Sequence, residues 1–409
     1  MNNDILNIII ISSLKDGTGN TILANRLKLI FESANKSTSQ PKTISNKQYN
    51  VILFDINKTI DNLNDLLQSL DNRCNGNGIY LLGINAYRVG HLINNLNKKY
   101  LYSLIFGGTD LNVASKDEAK QKIMNQCVGD AIHLICLSDE MKSKASKLWP
   151  NLISRMIVIT PSVIPNVTTT TTSPTTSSIS DSMNYYQLFT NNVIQPPIPT
   201  DTIEELSSKS TMKILLPIGI RPIKDPLFLL KDFSNFSIKY EQQQQQSNNN
   251  NNQQQQQQQQ SKFKRIVMII IGPCLDDSLM KELLSTISQC NNIYYTSSIP
   301  HHQLLQLIAE SDVVVNSSID EGLPTALMEA MHLGTLTLAR DNSGNKHLVD
   351  HMGNGIIFKT PSEFTEQLEF YLNTANTEHI HSLISKAKQQ IDTKYSSANE
   401  ISQYLNLFK

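Results

Sequence analysis

Two glutamates, Glu321 and Glu329, stand eight residues apart in the segment SSIDEGLPTALMEAMHLG. The segment follows a strand-like run, Asp312–Asn316, and continues into a predicted helix. Pro324 suits the first position of that helix, and Gly334 suits its C-terminal cap. This pattern places one glutamate before the helix and the other on its exposed side, with the free N–H groups of the helix start between them. Such an arrangement suits a ligand with hydroxyl groups at both ends and phosphate in the middle, such as a sugar nucleotide.

Backbone amides at the start of this helix are expected to hold the phosphate. The N–H groups of Gly322, Leu323 and Thr325 are the predicted donors, whereas Pro324 has no N–H to offer. A simpler interpretation is that both glutamates are solvated, one on a loop and one on a helix. The strand, the Gly-Leu-Pro step and the helix around the pair favour a binding site instead.

A second group of candidate residues follows the strand-like run KILLP. Gly219, Arg221 and Lys224 lie in the loop between this strand and a helix predicted at Asp225–Phe233, where an open parallel sheet binds its ligands. Arginine offers a forked donor and lysine a point charge to a diphosphate. In the alternative, Arg221 pairs with Asp225 or the lysine is merely solvated.

Short β-branched runs alternate with helical segments through both halves of the chain. About six strands are predicted in each half, at residues 8–11, 51–54, 79–82, 101–106, 131–137, 156–160, 213–217, 265–271, 292–296, 312–316, 335–339 and 355–358. Apolar runs that alternate with helices indicate parallel sheets covered on both faces. Six strands is the number of a doubly wound domain. We therefore predict an α/β protein with two Rossmann-like, doubly wound domains that face each other across a cleft.

At 409 residues the chain is long enough for two domains with separate cores. We predict an N-terminal domain at 1–165, a Ser/Thr/Pro-rich linker at 166–210 and a C-terminal domain at 211–385. The Gln/Asn tract at 241–261 is predicted to be a disordered insertion, because it has no apolar surface to bury. The final stretch, 386–409, is predicted to be helical and able to pack back on the first domain.

Composition excludes several classes of partner. The net charge of −1 gives no electrostatic reason to expect nucleic acid or an anionic membrane. The five cysteines form no Cys-x-x-Cys pair, which favours reduced thiols over disulfides or a zinc site. The apolar run Ile8–Ile11 is too short for a membrane span and lacks the basic flank of a signal peptide. A cytoplasmic protein is expected, and its oligomeric state stays open.

Glycine-rich loops follow two predicted strands of the first half, at Gly17–Thr21 and Phe106–Asp110. The first loop differs from a P-loop because Asn20 replaces the lysine, and it lacks the third glycine of Gly-x-Gly-x-x-Gly because Ile22 stands there. A P-loop ATPase and a dinucleotide dehydrogenase are therefore disfavoured. The residues expected to line the N-terminal side of the cleft are Gly17, Gly19, Asn20, Asn85, Gly108, Thr109 and Asp110.

The glutamate segment resembles the donor-site motif of retaining glycosyltransferases of the two-Rossmann, GT-B type, in glycosyltransferase family 4 (group 1). Within that family it is most similar to the glycosyltransferase 1 domain-containing protein 1 group. The resemblance extends to the segments GTGNTILANRL, INAYRVGHL, FGGTD and IGIRPIKDPLFLL. It implies a hexosyltransferase-like enzyme that moves a sugar from a nucleoside diphosphate sugar to an acceptor with retention of configuration. It implies no dedicated metal or other cofactor, and it leaves the sugar, the base and the acceptor open.

The resemblance also implies roles for individual residues. Glu321 would contact hydroxyls of the donor sugar, Glu329 would bind the ribose, and Arg221 with Lys224 would stabilise the departing diphosphate. Many family members carry a histidine where this chain has Gly107. Two alternatives therefore stay open, namely a sugar-nucleotide-binding pseudoenzyme without turnover and a sugar-nucleotide epimerase on the same fold.

Overall fold

The structure is a computed structural model, and it describes residues 5–15, 18–36, 48–74, 78–163, 183–249 and 263–408. The chain forms two compact units. The N-terminal unit comprises Met1–Asn166 and Tyr395–Lys409, and the C-terminal unit comprises Val167–Lys394. Each unit contains one six-stranded parallel sheet.

The N-terminal sheet has the strand order β2-β1-β3-β4-β5-β6. Its strands are β1 (Ile5–Ser12), β2 (Gln48–Asp55), β3 (Ile79–Ile84), β4 (Leu101–Ile105), β5 (His133–Cys136) and β6 (Met156–Val158). The helices between them are α1 (Gly19–Lys36), α2 (Ile60–Cys74), α3 (Ala86–Ile93), α4 (Gly108–Asn112), α5 (Glu118–Asp130) and α6 (Asp139–Leu148). The four isoleucines of Ile8–Ile11 have no exposed surface, because helices cover both faces of this sheet.

The C-terminal sheet has the order β12-β11-β10-β7-β8-β9. Its strands are β7 (Thr211–Pro217), β8 (Arg265–Ile271), β9 (Ile293–Thr296), β10 (Val313–Asn316), β11 (Leu336–Arg340) and β12 (Ile356–Phe358). Its helices are α7 (Tyr185–Asn191), α8 (Thr200–Ser207), α9 (Leu230–Asn249), α10 (Asp277–Ile287), α11 (His301–Glu310), α12 (Thr325–Leu333), α13 (Ser343–Leu348), α14 (Pro361–Leu372) and α15 (Thr377–Lys394). The last helix of the chain, α16 (Ser397–Asn406), belongs to the N-terminal unit.

All twelve predicted strands are present, and the doubly wound α/β fold class is confirmed. In each sheet the winding reverses once, between β1 and β3 in the first unit and between β7 and β10 in the second. Ligands of doubly wound sheets bind at the carboxyl ends of the two strands that flank such a reversal. None of the helices in the described ranges is long and apolar enough to cross a membrane.

The predicted linker at 166–210 differs from the structure, because its second half is folded into the C-terminal unit. Helices α7 and α8 form there, and Tyr185 of α7 is buried with its hydroxyl 2.6 Å from Ser311 Oγ. Gln195 and Tyr295 exchange both of their backbone hydrogen bonds, at 2.9 and 2.7 Å. Apolar residues between the Ser/Thr-rich part and β7 account for this packing. Residues 164–182 lie outside the described part of the chain.

The Gln/Asn tract also differs from its prediction in its first part. Helix α9 starts at Leu230 rather than at Asp225, whose φ of +46° is incompatible with a helix. The helix then continues through Asn249. Glu241 anchors it by accepting hydrogen bonds from Arg265 Nε at 3.0 Å and Asn292 Nδ2 at 2.8 Å. Residues 241–249 are helical rather than disordered, and the good helix propensity of glutamine favours this. Residues 250–261 lie outside the described ranges.

The C-terminal stretch is divided between the units at a different place from the predicted boundary of 386. Helix α15 stays with the C-terminal unit up to Lys394, and α16 lies against α1 of the N-terminal unit. Arg26 of α1 binds Glu400 of α16 at 2.5 Å, and the Glu400 carboxylate also accepts the N–H of Ser162 at 2.9 Å. After α16, the ring of Phe408 packs against Tyr80 of β3, with the two ring centres 4.9 Å apart.

Candidate functional site

The loops that follow β7 and β10 lie side by side where the C-terminal sheet reverses its winding. The N–H of Ile319 donates to the carbonyl of Ile223 at 2.9 Å, and Ser317 Oγ donates to the carbonyl of Lys224 at 3.0 Å. These bonds join the two groups of candidate residues found in the sequence. Residues 97 positions apart along the chain therefore form one site.

Glu321 is held in this site by one of its two carboxylate oxygens. The side chain is 9% exposed, and Oε1 accepts hydrogen bonds from Lys224 Nζ, from Asn316 Nδ2 at 2.9 Å and from Ser318 Oγ at 2.7 Å. Within the described ranges no hydrogen bond reaches Oε2, and that oxygen is not sealed from solvent. One oxygen fixes the carboxylate, and the other is available to a hydroxyl group.

Arg221 is exposed at the same edge. Among the residues that the structure describes, none forms an ion pair or a hydrogen bond with its side chain. The partner considered from the sequence, Asp225, instead binds Arg340, whose Nη1 lies 2.7 Å from Asp225 Oδ2. The Arg221 side chain is therefore exposed in the same loop as Lys224.

Arg340, which the sequence analysis did not single out, joins the two loops. Its guanidinium donates to Asp225 on one loop and, at 3.1 Å, to the carbonyl of Ser317 on the other. It also lies 3.6 Å from the centre of the Phe228 ring, a cation–π contact. The only available signal in the sequence was a basic residue at the carboxyl end of a predicted strand.

Helix α13 supports the backbone of the β10 loop from behind. A Cβ at Gly344 would lie 2.2 Å from the carbonyl oxygen of Glu321, so only glycine allows this approach. Asn342 Nδ2 donates to the carbonyl of Ser318 at 2.9 Å, and Asn345 Nδ2 donates to Asn316 Oδ1 at 3.1 Å. The position of Glu321 is thus fixed through both its backbone and its side chain.

Not all of the backbone N–H groups that were predicted to bind phosphate are available. Helix α12 starts at Thr325 with Pro324 as its N-cap, and the Thr325 N–H already donates to the carbonyl of Leu323 at 3.0 Å. The expectation that this N–H is free was wrong. In the described part of the chain no backbone carbonyl accepts the N–H of Gly322 or of Leu323. Gly334 ends α12 with a left-handed φ of +81°, as its predicted role requires.

Glu329 lies on the second turn of α12 and contacts a histidine. His301 Nε2 is 2.9 Å from Glu329 Oε1, and the two side chains are 44% and 15% exposed. The hydrogen bond to Glu329 raises the pKa of His301 above its usual value, against partial burial, which lowers it. His301 follows Pro300 at the start of a helix, a pattern typical of a surface residue, and it is exposed in the structure; its contact with Glu329 is added by the tertiary structure.

Gly219 packs against Leu275, in the loop that follows β8. A Cβ at Gly219 would lie 2.9 Å from Leu275 Cδ1. Its neighbour Ile220 donates its N–H to the carbonyl of Pro273 at 2.9 Å. Glycine here allows the loop after β7 to lie close to the loop after β8.

Residues 251–390, which include both glutamates, match a family model. That family is glycosyl transferases group 1. A curated relative from Xenopus tropicalis, glycosyltransferase 1 domain-containing protein 1, is 26% identical over 324 residues, which cover 79% of this chain and 80% of the relative.

Solved structures of other proteins share this fold. HepE from Anabaena, in complex with UDP and glucose, aligns over 98% of this chain and 99% of its own, with 13% identity and a TM-score of 0.64. Sucrose-phosphate synthase from Thermosynechococcus elongatus aligns over 98% of both chains, with 13% identity and a TM-score of 0.61. At this identity the likeness confirms the GT-B type fold.

Outside the group 1 segment, the predicted N-terminal residues follow β1, β3 and β4, which are neighbours in their sheet. Asn85 follows β3 as the N-cap of α3, with a φ of +74°. Its Oδ1 accepts the N–H of Arg88 at 3.1 Å, and its Nδ2 donates to Thr109 Oγ1 at 2.8 Å. A non-glycine residue with positive φ often marks a functional position. Arg88, which was not among the candidates, is exposed next to it.

Asp110 is fully buried and ties two loops together instead of facing a ligand. Its carboxylate accepts the N–H groups of Ala86 at 3.0 Å, Gly107 at 2.9 Å and Tyr87 at 3.3 Å. Burial raises the pKa of Asp110 to about 6, although these three donors favour the charged form. The prediction that Asp110 lines a cleft is therefore wrong: its buried carboxylate supports the backbone after β3 and β4.

The remaining N-terminal candidates are glycines and one asparagine. Gly17 lies outside the described residues. Gly19 starts α1 with open space where a Cβ would stand, and the carbonyl of Asn20 accepts Ser12 Oγ at 3.4 Å. Gly108 starts α4, and its nearest neighbour to an added Cβ is 4.0 Å away. A Cβ added at Gly19 or Gly108 would therefore meet no clash.

Proposed function

We propose that this protein is a glycosyltransferase that binds a nucleoside diphosphate sugar in its C-terminal unit and transfers the sugar with retention of configuration. The observation that carries this proposal is the site at the winding reversal. There one oxygen of the Glu321 carboxylate binds Lys224, Asn316 and Ser318, and the exposed Arg221 lies in the same loop as Lys224. Support comes from the group 1 match over residues 251–390 and from the name of the Xenopus relative. UDP is the first nucleotide to test, because HepE was solved with it.

In this proposal, Arg221 and Lys224 bind the diphosphate. Transfer breaks the bond between the anomeric carbon and the phosphate oxygen, so negative charge grows on the diphosphate as it leaves. Two cations at that position stabilise the charge without a dedicated metal ion. The acceptor hydroxyl forms the new bond on the same face of the sugar, and its proton passes to the departing phosphate oxygen.

The two glutamates bind hydroxyls at opposite ends of the donor. Glu321 offers Oε2 to a hydroxyl of the sugar, while Oε1 stays with its three donors. Glu329 binds the ribose. The N–H groups of Gly322 and Leu323, which no backbone carbonyl accepts within the described residues, bind phosphate oxygens.

Calorimetry with UDP tests the binding half of this proposal. A charge-assisted hydrogen bond contributes about 1.5–3 kcal/mol, so Arg221→Ala should weaken UDP binding roughly 10- to 100-fold. Glu329→Gln should weaken uridine and UDP by the same factor, because it acts on the ribose. Lys281→Ala is the matched control, since it removes an exposed cation of the same unit on α10. Wild-type affinity in the Arg221 variant would place the site elsewhere.

Turnover is tested separately. Glu321→Gln should bind UDP nearly as well as the wild type but consume UDP-sugar more slowly, because its contact acts in the transition state. Mass spectrometry after long incubation measures donor consumption. Loss of consumption in the variant supports an enzyme.

A binding protein without turnover is the second candidate, and Gly107 favours it. In this chain a glycine stands where the resembling family often has a histidine. Intact donor with both the wild type and the Glu321 variant, over a panel of sugars and acceptors, would support this candidate.

A further inference from the structure

His301 contacts the carboxylate that the proposed function assigns to the ribose. It is the first residue of α11, and this helix begins after β9, at the carboxyl end of the sheet. The loops that carry Arg221 and Glu321 lie at this same end of the sheet. Nε2 of the histidine lies 2.9 Å from Oε1 of Glu329 on the neighbouring helix α12.

A ribose offers two adjacent hydroxyls, and a carboxylate can accept both only if its plane is turned towards them. Glu329 lies on a helix face, and its terminal torsion is broad when no partner restricts it. The hydrogen bond to His301 restricts this torsion, because it fixes the position of Oε1. Oε1 still has a second lone pair for a ribose hydroxyl after it accepts the histidine N–H. Glu329 is the charged group in contact with His301, and the next residue of the same helix is His302, which is exposed.

We propose that His301 is a positioning residue of the nucleotide site: it orients the Glu329 carboxylate so that both oxygens can accept the ribose hydroxyls. This inference rests on the proposed donor site. It adds that recognition of the ribose diol depends on a residue outside the glutamate segment. It also predicts that the loss of His301 acts on the ribose alone and leaves diphosphate binding unchanged.

Calorimetry with UDP and 2′-deoxy-UDP tests this role. The wild type should bind UDP more tightly than 2′-deoxy-UDP. His301→Ala should weaken UDP by roughly 2- to 10-fold, the range for one lost hydrogen bond, while 2′-deoxy-UDP changes less, so that the ratio of the two dissociation constants falls towards one. His301→Gln, whose amide can donate to Glu329, should restore most of the ratio. His302→Ala, on the same helix, is the matched control and should leave it unchanged.

The outcomes separate this inference from the proposed function. If the wild type binds UDP and His301→Ala keeps the wild-type ratio, the positioning role is wrong and the donor site stands. The same conclusion follows if His301→Ala weakens both nucleotides by one factor or if His301→Gln fails to restore the ratio. If the wild type binds none of UDP, ADP and GDP, the donor site and the role of His301 fall together.

Discussion

Gly344 is the position where the smallest substitution should disturb the candidate site most directly. An added Cβ would lie 2.2 Å from the carbonyl oxygen of Glu321 and 2.7 Å from its carbonyl carbon. Real Cβ atoms essentially never approach closer than 3.0 Å, so α13 and the β10 loop must separate by about 0.8 Å. That movement takes the Glu321 carboxylate away from the donors on Oε1.

We expect Gly344→Ala to lower the free energy of unfolding by about 1–3 kcal/mol, the usual cost of overpacking. The sign of this change distinguishes the two effects, because helix propensity alone would make the alanine variant more stable by about 1 kcal/mol. Donor consumption should fall on the order of 100-fold, since a displacement near 1 Å in a catalytic group costs about that much.

Urea unfolding and mass spectrometry with UDP-glucose measure the two effects. Ser343→Ala is the control, because this residue is exposed on the same helix. A Gly344→Ala variant with unchanged or higher stability would refute the contact between α13 and Glu321. Lowered stability with wild-type donor consumption would keep the contact but remove Glu321 from the reaction.

Three other substitutions give independent tests. Glu400→Gln should lower the unfolding free energy by about 3–5 kcal/mol, because it leaves Arg26 without its buried partner; a loss below about 1 kcal/mol in urea unfolding would contradict this. The raised pKa of His301 means that its pairing with Glu329 stabilises the fold fully below the unfolded pKa, near 6.5, and that this contribution disappears as pH rises through the folded pKa. Melting temperatures should therefore show the wild type losing its advantage over His301→Gln as pH rises from about 6.5 through the raised folded pKa, and a constant difference would argue against the pairing. Gly107→His should change the unfolding free energy by less than about 0.5 kcal/mol, because an added Cβ meets nothing nearer than 3.5 Å. It should also increase donor consumption, and mass spectrometry would show no increase if the histidine is irrelevant here.

The elements of both sheets were predictable from the sequence because their signals are local. A β-branched run such as Ile8–Ile11 reports its own burial, and Gly334 marks the end of α12 by adopting a conformation that other residues disfavour. Glu321 and Glu329 were recognisable because a strand, a Gly-Leu-Pro step and a helix occur within one continuous segment. The same local reasoning failed at Tyr185, where a Ser/Thr-rich neighbourhood hid a buried helix.

The partners of the site residues were decided by the tertiary structure alone. The sequence offered Asp225 as the partner of Arg221, yet Asp225 binds Arg340, 115 residues away, and the Arg221 side chain is exposed. Lys224 and Glu321 meet because β7 and β10 are adjacent in the sheet, and strand order depends on how the whole domain winds. Sequence patterns record which residues are buried and where helices end, since those depend on neighbours along the chain. They do not record which charged side chain satisfies which other, because that depends on distances set only after the sheet has formed.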